Sequence, residues 1–260
     1  MTMTLDTKVA LITGAGNGIG AAAARLLSER QVHTLILLDL SAGAIDKLAS
    51  ELQAGGSVTR ILCCAADIAD RDALRAALKP IIARTGKIDI LVNSAGIADE
   101  NEPEQEEIWR RVLDVNVHGT YYVTLEALEA MPDGGRIVNV ASILGRAGNV
   151  RNTAYCTSKH AMLGFTKSLA LDVASRKITV NAVLPAWVDT PMLRREIAIQ
   201  ADKIGAELDQ MMRNARKKIP LRALVQSEEV ASMIGYLVSD AAGSVTAQSF
   251  TIDGGFTCGV

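Results

Sequence analysis

A chain of 260 residues, 49% of them hydrophobic, is long enough to bury a sizeable core as one large domain or two small ones. Its net charge of −2 gives no electrostatic reason to bind nucleic acid. No apolar stretch approaches the ~20 residues of a membrane span, and Met1–Thr7 is short and polar, so neither an anchor nor a signal peptide is expected.

The first apolar run, Val9–Thr13, reads as a strand. It leads into Thr13-Gly14-Ala15-Gly16-Asn17-Gly18-Ile19-Gly20, and a helix-forming run, Ala21–Leu27, leads out. A strand that stops at glycines and restarts as a helix is a phosphate-binding turn. Gly14 can take the tight turn, Gly18 has no side chain to hold a pyrophosphate away, and Gly20 lets the helix pack closely on the strand. The helix offers its unpaired N–H groups and positive dipole end to the phosphate. A second apolar run, Thr34–Leu38, ends in Asp39, where an acid can hold ribose hydroxyls and repel a 2′-phosphate. Arginine would favour NADP, and none occurs within Ala15–Asn17 or Leu40–Ala42, so the expected cofactor is NAD.

Further strands are expected at Arg60–Ala65, Ile88–Asn93, Arg136–Val140, Thr179–Leu184 and Phe250–Ile252, with helical segments in nearly every gap. Continuously apolar strands alternating with helices imply a parallel sheet covered on both faces. Right-handed crossovers make it doubly wound. The expectation is therefore a single α/β domain over residues 1–260, a Rossmann fold of about seven strands whose C-terminal third completes the sheet.

Ligands of such sheets sit at the carboxyl ends of the strands. There the chain carries Asp67-Ile68, able to meet an adenine ring, then Asn93-Ser94-Ala95-Gly96, Ser142, and Pro185-Ala186-Trp187-Val188-Asp189-Thr190. Tyr155-Cys156-Thr157-Ser158-Lys159 opens a helix that runs on through Leu171. Residues four apart share a helix face, so Tyr155 and Lys159 project together. An ammonium beside the phenol, with an oxidised nicotinamide, favours the phenolate and makes proton exchange with an alcohol or carbonyl oxygen feasible.

These motifs in this order resemble the short-chain dehydrogenase/reductase family, from Lys8 to Gly255. The glycine turn matches the family's T-G-x-x-x-G-x-G. Asn93-Ser94-Ala95-Gly96 matches its N-N-A-G with serine at the second position. Asn116, Ser142, Tyr155 and Lys159 fall where the family carries a catalytic tetrad. The resemblance implies hydride transfer between a nicotinamide and an alcohol or ketone. Tyr155 would be the general acid/base and Ser142 would hold the substrate oxygen. Lys159 would bind the nicotinamide ribose and depress the Tyr155 pKa, and Asn116 would anchor a relay water. The implied cofactor set is Gly14, Asn17, Gly18, Ile19, Gly20, Asp39, Asp67, Ile68, Asn93, Ala95, Gly96, Tyr155, Lys159, Pro185, Val188 and Thr190. One departure is Pro185-Ala186 where the family has Pro-Gly; if the backbone there needs a positive φ, alanine is strained.

The expected substrate contacts are Ser142, Leu144, Asn149, Asn152, Tyr155 and Trp187, in a mostly apolar pocket also lined by Ala98, Ile143, Val188 and Leu193. Met192–Ile219 looks like helical lid material over it, within a lid at about 190–220. Trp187-Val188-Asp189-Thr190-Pro191 is similar to 3-hydroxybutyrate dehydrogenases. Those have a lysine three residues before the tyrosine; here Asn152 stands there, beside Arg151, and a hydroxy-acid substrate stays open. The chain also resembles 3-oxoacyl reductases, whose usual NADP preference Asp39 argues against. A catalytically silent nucleotide-binding regulator is disfavoured by the intact Ser142, Tyr155 and Lys159. A sugar-nucleotide epimerase is disfavoured by the chain's length.

Cys63, Cys64, Cys156 and Cys258 read as buried free thiols in a reducing cytoplasm. His33, His118 and His160 have no ligand spacing, so no metal is expected. Arg216-Lys217-Lys218 reads as a solvated face. The family's segments matching Glu104–Met131 and Thr153–Ala174 pair between subunits. Here they carry Val112, Val115, Val123, Leu163 and Leu169, so a homotetramer, or at least a dimer, is expected.

Overall fold

A computed structural model describes residues 5–258. Seven parallel strands form one sheet: β1 (Val9–Thr13), β2 (Thr34–Asp39), β3 (Arg60–Ala65), β4 (Ile90–Asn93), β5 (Arg136–Val140), β6 (Thr179–Pro185) and β7 (Ser249–Ile252). Their order is β3-β2-β1-β4-β5-β6-β7. The chain first builds outward from β1 to β3, then crosses back to start β4 on the other side of β1. Such a reversal opens a crevice at the carboxyl ends of the two strands it separates. Here those ends are Thr13 and Asn93, which lie in register.

The strands read as unbroken apolar runs because both faces of the sheet are covered. Ala10 and Ile12 face one core with Leu35, Leu37, Ile90 and Val92. Helices α1 (Gly18–Glu29), α2 (Ala42–Ala54) and α9 (Ser227–Leu237) cover that side. Val9 and Leu11 face the other with Ile36, Leu38, Leu91 and Ile137. There α3 (Arg71–Thr85), α5 (Thr120–Glu129) and α6 (Thr153–Asp172) cover the sheet. Helix α4 (Glu106–Leu113) packs against α6, and α7 (Pro191–Ile204) packs against α8 (Leu208–Lys218). A third, smaller core of Leu193, Ile197, Met212, Ala215, Ile219 and Leu224 joins α7 to α8. Among the described residues no helix is long and apolar enough to cross a membrane.

Several expectations need correction. β4 starts at Ile90, not Ile88, because the Asp89 carboxylate takes the Val9 N–H at 2.8 Å and Lys87 closes on it at 3.0 Å. Ala186 is not among the residues with positive φ, so alanine there carries no such strain. The four cysteines are free, but only Cys64 is buried; Cys63 and Cys258 are exposed and Cys156 is half-buried. Cys63 and Cys64 do point to opposite faces, and β3 is an edge strand with little cover for one of them. Val112, Val123 and Leu163 are already buried inside the subunit, so they offer no surface for pairing.

The glycine turn generates a stability prediction. A Cβ on Gly20 would sit 2.1 Å from the Gly14 carbonyl oxygen, whereas one on Gly43 in α2 would meet nothing within 4 Å. Gly20→Ala is expected to cost at least the ~1–3 kcal/mol of an overpacked site, and Gly43→Ala to gain up to about 1 kcal/mol. Urea unfolding midpoints check the pair. Equal stability of wild type and Gly20→Ala would refute the close approach.

Candidate active site

The turn after β1 is built by close contacts. Gly14 has φ +63° and lies against Ala95; Gly18 has φ +53° and lies against Thr190, whose Cγ2 would be 3.2 Å from an added Cβ. Thr13 accepts the N–H groups of Ser94 and Ala95 on its Oγ1, both at 3.0 Å, which locks the loop after β4 to the turn after β1. Asn17 sits at the N-cap of α1 without a side-chain cap, and the first turn holds no acid. The positive end of α1 is thus left for an anion. Asp39 ends β2, and its two carboxylate oxygens accept the N–H groups of Gly16 and Ser41, each at 2.9 Å. Both oxygens keep lone pairs for further donors. An uncapped helix end beside a held carboxylate fits a dinucleotide, with pyrophosphate at the helix and ribose at the acid.

Other expected cofactor residues differ in how they are presented. Ile19 is half-buried against the first core. Exposed Asp67 accepts the Ala69 N–H at 2.9 Å. Ile68 is buried in the second core, packed where Gly119 leaves room. Asn93 is buried, and its Nδ2 donates to Thr124 Oγ1 at 3.1 Å and Asn139 Oδ1 at 2.9 Å, so its amide hydrogens are spent on α5 and β5 while its Oδ1 has no partner among the described residues. Pro185 and Val188 are buried at the end of β6 and in the loop beyond. Thr190 N-caps α7 by accepting the Leu193 N–H at 3.3 Å.

The four tetrad positions converge. Asn116 lies in a π-helical turn, Asp114–Gly119, between α4 and α5. Such widened turns recur at functional sites. Its Oδ1 accepts the Ile97 N–H at 2.8 Å, and its Nδ2 donates to the Ile97 carbonyl at 2.9 Å and to Ser158 Oγ at 3.0 Å. All its amide hydrogens are committed, which makes it a strut. Ser158 in turn donates to the Tyr155 carbonyl at 2.7 Å. Lys159 Nζ donates to the Val140 carbonyl at 3.0 Å and lies 5.5 Å from the Tyr155 ring centre. A Cβ on Gly96 would be 3.1 Å from Asn116 Oδ1 and 3.6 Å from Lys159 Nζ, so the β4 loop closes directly on the pair. Ser142, after β5, accepts the Leu144 N–H at 3.1 Å.

Burial sets the electrostatics. It pushes the Lys159 ammonium down to about 8. It also holds the Tyr155 phenol above its ordinary range; the Ser142 hydroxyl pulls the other way, and the charge of Glu196 adds to the rise. The expectation of a lowered phenol is thus opposed, with no nicotinamide charge beside it, by the burial of Tyr155.

The expected substrate residues differ in exposure and in the partners they hold. Leu144 is half-buried near Ser142, but Asn149 is exposed. Asn152 turns back to donate to the Val150 carbonyl at 2.9 Å. Trp187 packs on Phe256 with ring centres 5.2 Å apart and carries Lys218 Nζ at 5.7 Å, so it anchors the third core. Sequence reading missed Asn101, which is buried and bonds to Thr153 Oγ1 at 2.8 Å and the Ala154 N–H at 3.1 Å, fixing the start of α6. It also missed Glu196 on α7, whose carboxyl is pushed up to about 7 by burial and by Glu100 and Asp99. Neither residue lies in a motif, so no sequence signal marks it.

With this geometry in hand, the comparisons define the class. The chain belongs to the short-chain dehydrogenase/reductase family of oxidoreductases: the family model described as enoyl-(acyl carrier protein) reductase matches residues 14–257. It is similar to a cis-4-hydroxycyclohexanecarboxylate dehydrogenase of Sinomonas cyclohexanicum, 36% identical over 96% of each chain. It is also similar to a 3-oxoacyl-[acyl-carrier-protein] reductase of Thermotoga maritima, 36% identical over 97% of this chain and 99% of that one. Among solved structures, a variant of the actinorhodin polyketide ketoreductase with NADPH matches with a TM-score of 0.90. It is 34% identical, over 97% of this chain and 98% of that one.

Proposed function

We propose that the protein is an NAD-dependent dehydrogenase of secondary alcohols, and a carbonyl reductase in reverse, with Tyr155 as general acid/base. The observation that carries this reading is the convergence of Ser142, Tyr155 and Lys159, joined through the Ala95–Gly96 loop to the glycine turn that precedes the uncapped α1. The oxidised nicotinamide supplies a hydride acceptor and a positive charge beside the phenol when bound. Gly14, Asn17, Gly18, Ile19 and Gly20 form the phosphate cradle, and Ala95, Gly96, Val188 and Thr190 flank it. Ser142 holds the substrate oxygen, and Tyr155 accepts its proton. Lys159, brought down to about 8, can hold or release a proton near neutral pH. Asn116 acts through position, tying the β4 loop to Ser158 under Tyr155.

Asp39 supports NAD, since an acid there favours ribose hydroxyls over a 2′-phosphate. The family does not decide it, for the ketoreductase relative was solved with NADPH. The same relative and the acyl-carrier-protein reductase favour a second reading, reduction of 3-oxoacyl groups with NADP, which Asp39 opposes. The reading takes residues 1–260 as one catalytic domain, with α7 and α8 as a substrate lid. Oligomer formation is read from the outer face of α5 and α6. A cavity of about 150 Å³ there is lined by Val117, His118, Tyr121, Ala161, Met162 and Phe165, and Tyr121 stays 45% exposed.

Three outcomes follow. Tyr155→Phe removes the transferable proton, and turnover of alcohols should fall by at least ~10²–10⁴-fold with NADH binding retained; near-normal turnover would end this mechanism. Wild type should prefer NAD by about two orders of magnitude in kcat/KM, since charge-assisted ribose bonds contribute roughly 1.5–3 kcal/mol. Asp39→Ala should weaken NAD while NADP holds or improves, and a wild type that favours NADP refutes the role of the acid. Light scattering at micromolar concentration should give a homotetramer, or at least a dimer; a monomer mass sinks that proposal.

A further inference from the structure

The loop after β4 and helix α7 close on each other through paired charges. Gln200 donates to one oxygen of Glu100 at 2.8 Å and Lys203 to the other at 2.9 Å. Arg195 lies 3.6 Å from Asp99 and Arg111 2.9 Å from it, and Arg151 lies 2.5 Å from Glu102. The side chains of these cations are 45–73% exposed, so they form a solvent-screened rim in which each cation already has an acid partner, Arg111 and Arg195 sharing Asp99. Glu196 is different. It stands one turn before Gln200 on the same face of α7, because residues four apart stack. On α7 it lies between the Glu100 contact and Thr190, whose methyl group closes on the glycine turn. Leu193 and Ile197 beside it turn into the third core. Among the described residues the Glu196 carboxyl has neither a hydrogen bond nor an ion pair. Its charge is nonetheless felt at Tyr155.

We propose that Glu196 is a specificity-determining residue of the substrate pocket, which accepts a hydrogen bond from a second hydroxyl of a neutral alcohol and turns away substrates that carry a carboxylate. This rests on the alcohol dehydrogenase reading above. The physical reason is that a half-buried carboxyl without a partner gains by meeting a donor and loses by meeting a second anion. No rim cation is free to offset that anion. Arg151, the neighbour of Asn152, is spent on Glu102. The groups facing Glu196 are Asp99 and Glu100 from the loop, Tyr155 from α6, and Arg195 on its own helix. Burial first, and then the charges of Glu100 and Asp99, push its carboxyl up to about 7, so discrimination against anions should sharpen as pH rises through about 7.

The test uses three probes of one ring size: cyclohexanol, cis-cyclohexane-1,4-diol and cis-4-hydroxycyclohexanecarboxylate, with NAD reduction followed from pH 6 to 9. Wild type should favour the diol over the carboxylate by about tenfold to a hundredfold in kcat/KM at high pH, the range of one charged hydrogen bond. That ratio should shrink toward pH 6. Glu196→Gln should keep most diol activity, raise carboxylate turnover about tenfold through KM, and flatten the pH dependence of the ratio. Glu196→Ala should lose the preference for diol over cyclohexanol. An active Glu196→Gln enzyme with an unchanged, pH-dependent ratio overturns this inference alone, as does a wild type that prefers the carboxylate. A wild type that oxidises none of the three overturns it together with the dehydrogenase reading.

Discussion

The close approach of the turn after β1 to the loop after β4 is the constraint on which the rest depends. Gly14 has room for no side chain, since Ala95 backbone atoms would lie 2.8 Å from it, and Thr13 clamps the same loop with two hydrogen bonds. This contact spans the point where the strand order reverses. It fixes the phosphate-type turn on one side of the crevice and Gly96 on the other. Gly96 in turn meets Asn116 and Lys159. One backbone contact therefore sets the distance between the expected phosphate site and the Tyr155–Lys159 pair.

The second layer of support is polar and buried. Asn116 bonds to both backbone groups of Ile97 and to Ser158, and Ser158 bonds to the Tyr155 carbonyl. Asn101 holds the first turn of α6 from the other side. A network in which each donor has an acceptor is rigid, and removing one member leaves the others unpaired in a low-dielectric interior. The π-helical turn is what aims Asn116 inward while α4 and α5 continue on either side of it.

Much of this was legible in the sequence, for physical reasons. Glycines at fixed spacing, an acid at the end of β2, and Tyr155 with Lys159 four apart each encode a local geometry, and local geometry survives translation into pattern. The seven strands were found to within two residues at either end, since buried parallel strands are unbroken apolar runs. What local pattern does not encode is which neighbour a side chain meets. Ile68 follows a strand, as a cofactor contact should, yet Gly119 leaves it a place in the core. Trp187 follows β6, yet Phe256, from far along the chain, claims it. Val112 and Val123 read as spare surface, yet both are fully buried within the subunit, because which core a helix residue meets is not local information. Glu196 is one acid in a charged helix until its neighbours are known.

Desolvation gives the site one electrostatic logic. It lowers Lys159, and it raises Tyr155 and Glu196; in all three the uncharged form is favoured. Lowering an ammonium and raising a carboxyl bring both groups into the neutral range, where each gains or loses a proton at little cost. The phenol moves the other way and needs a positive partner to ionise. A pocket arranged like this responds strongly to any charge that enters it, because little water remains to screen the effect. A cation beside Tyr155 eases proton removal, while an anion beside Glu196 meets an uncompensated acid. The same burial thus bears on both the proposed proton transfer and the proposed choice of ligand, and a change that let water into this pocket would weaken both.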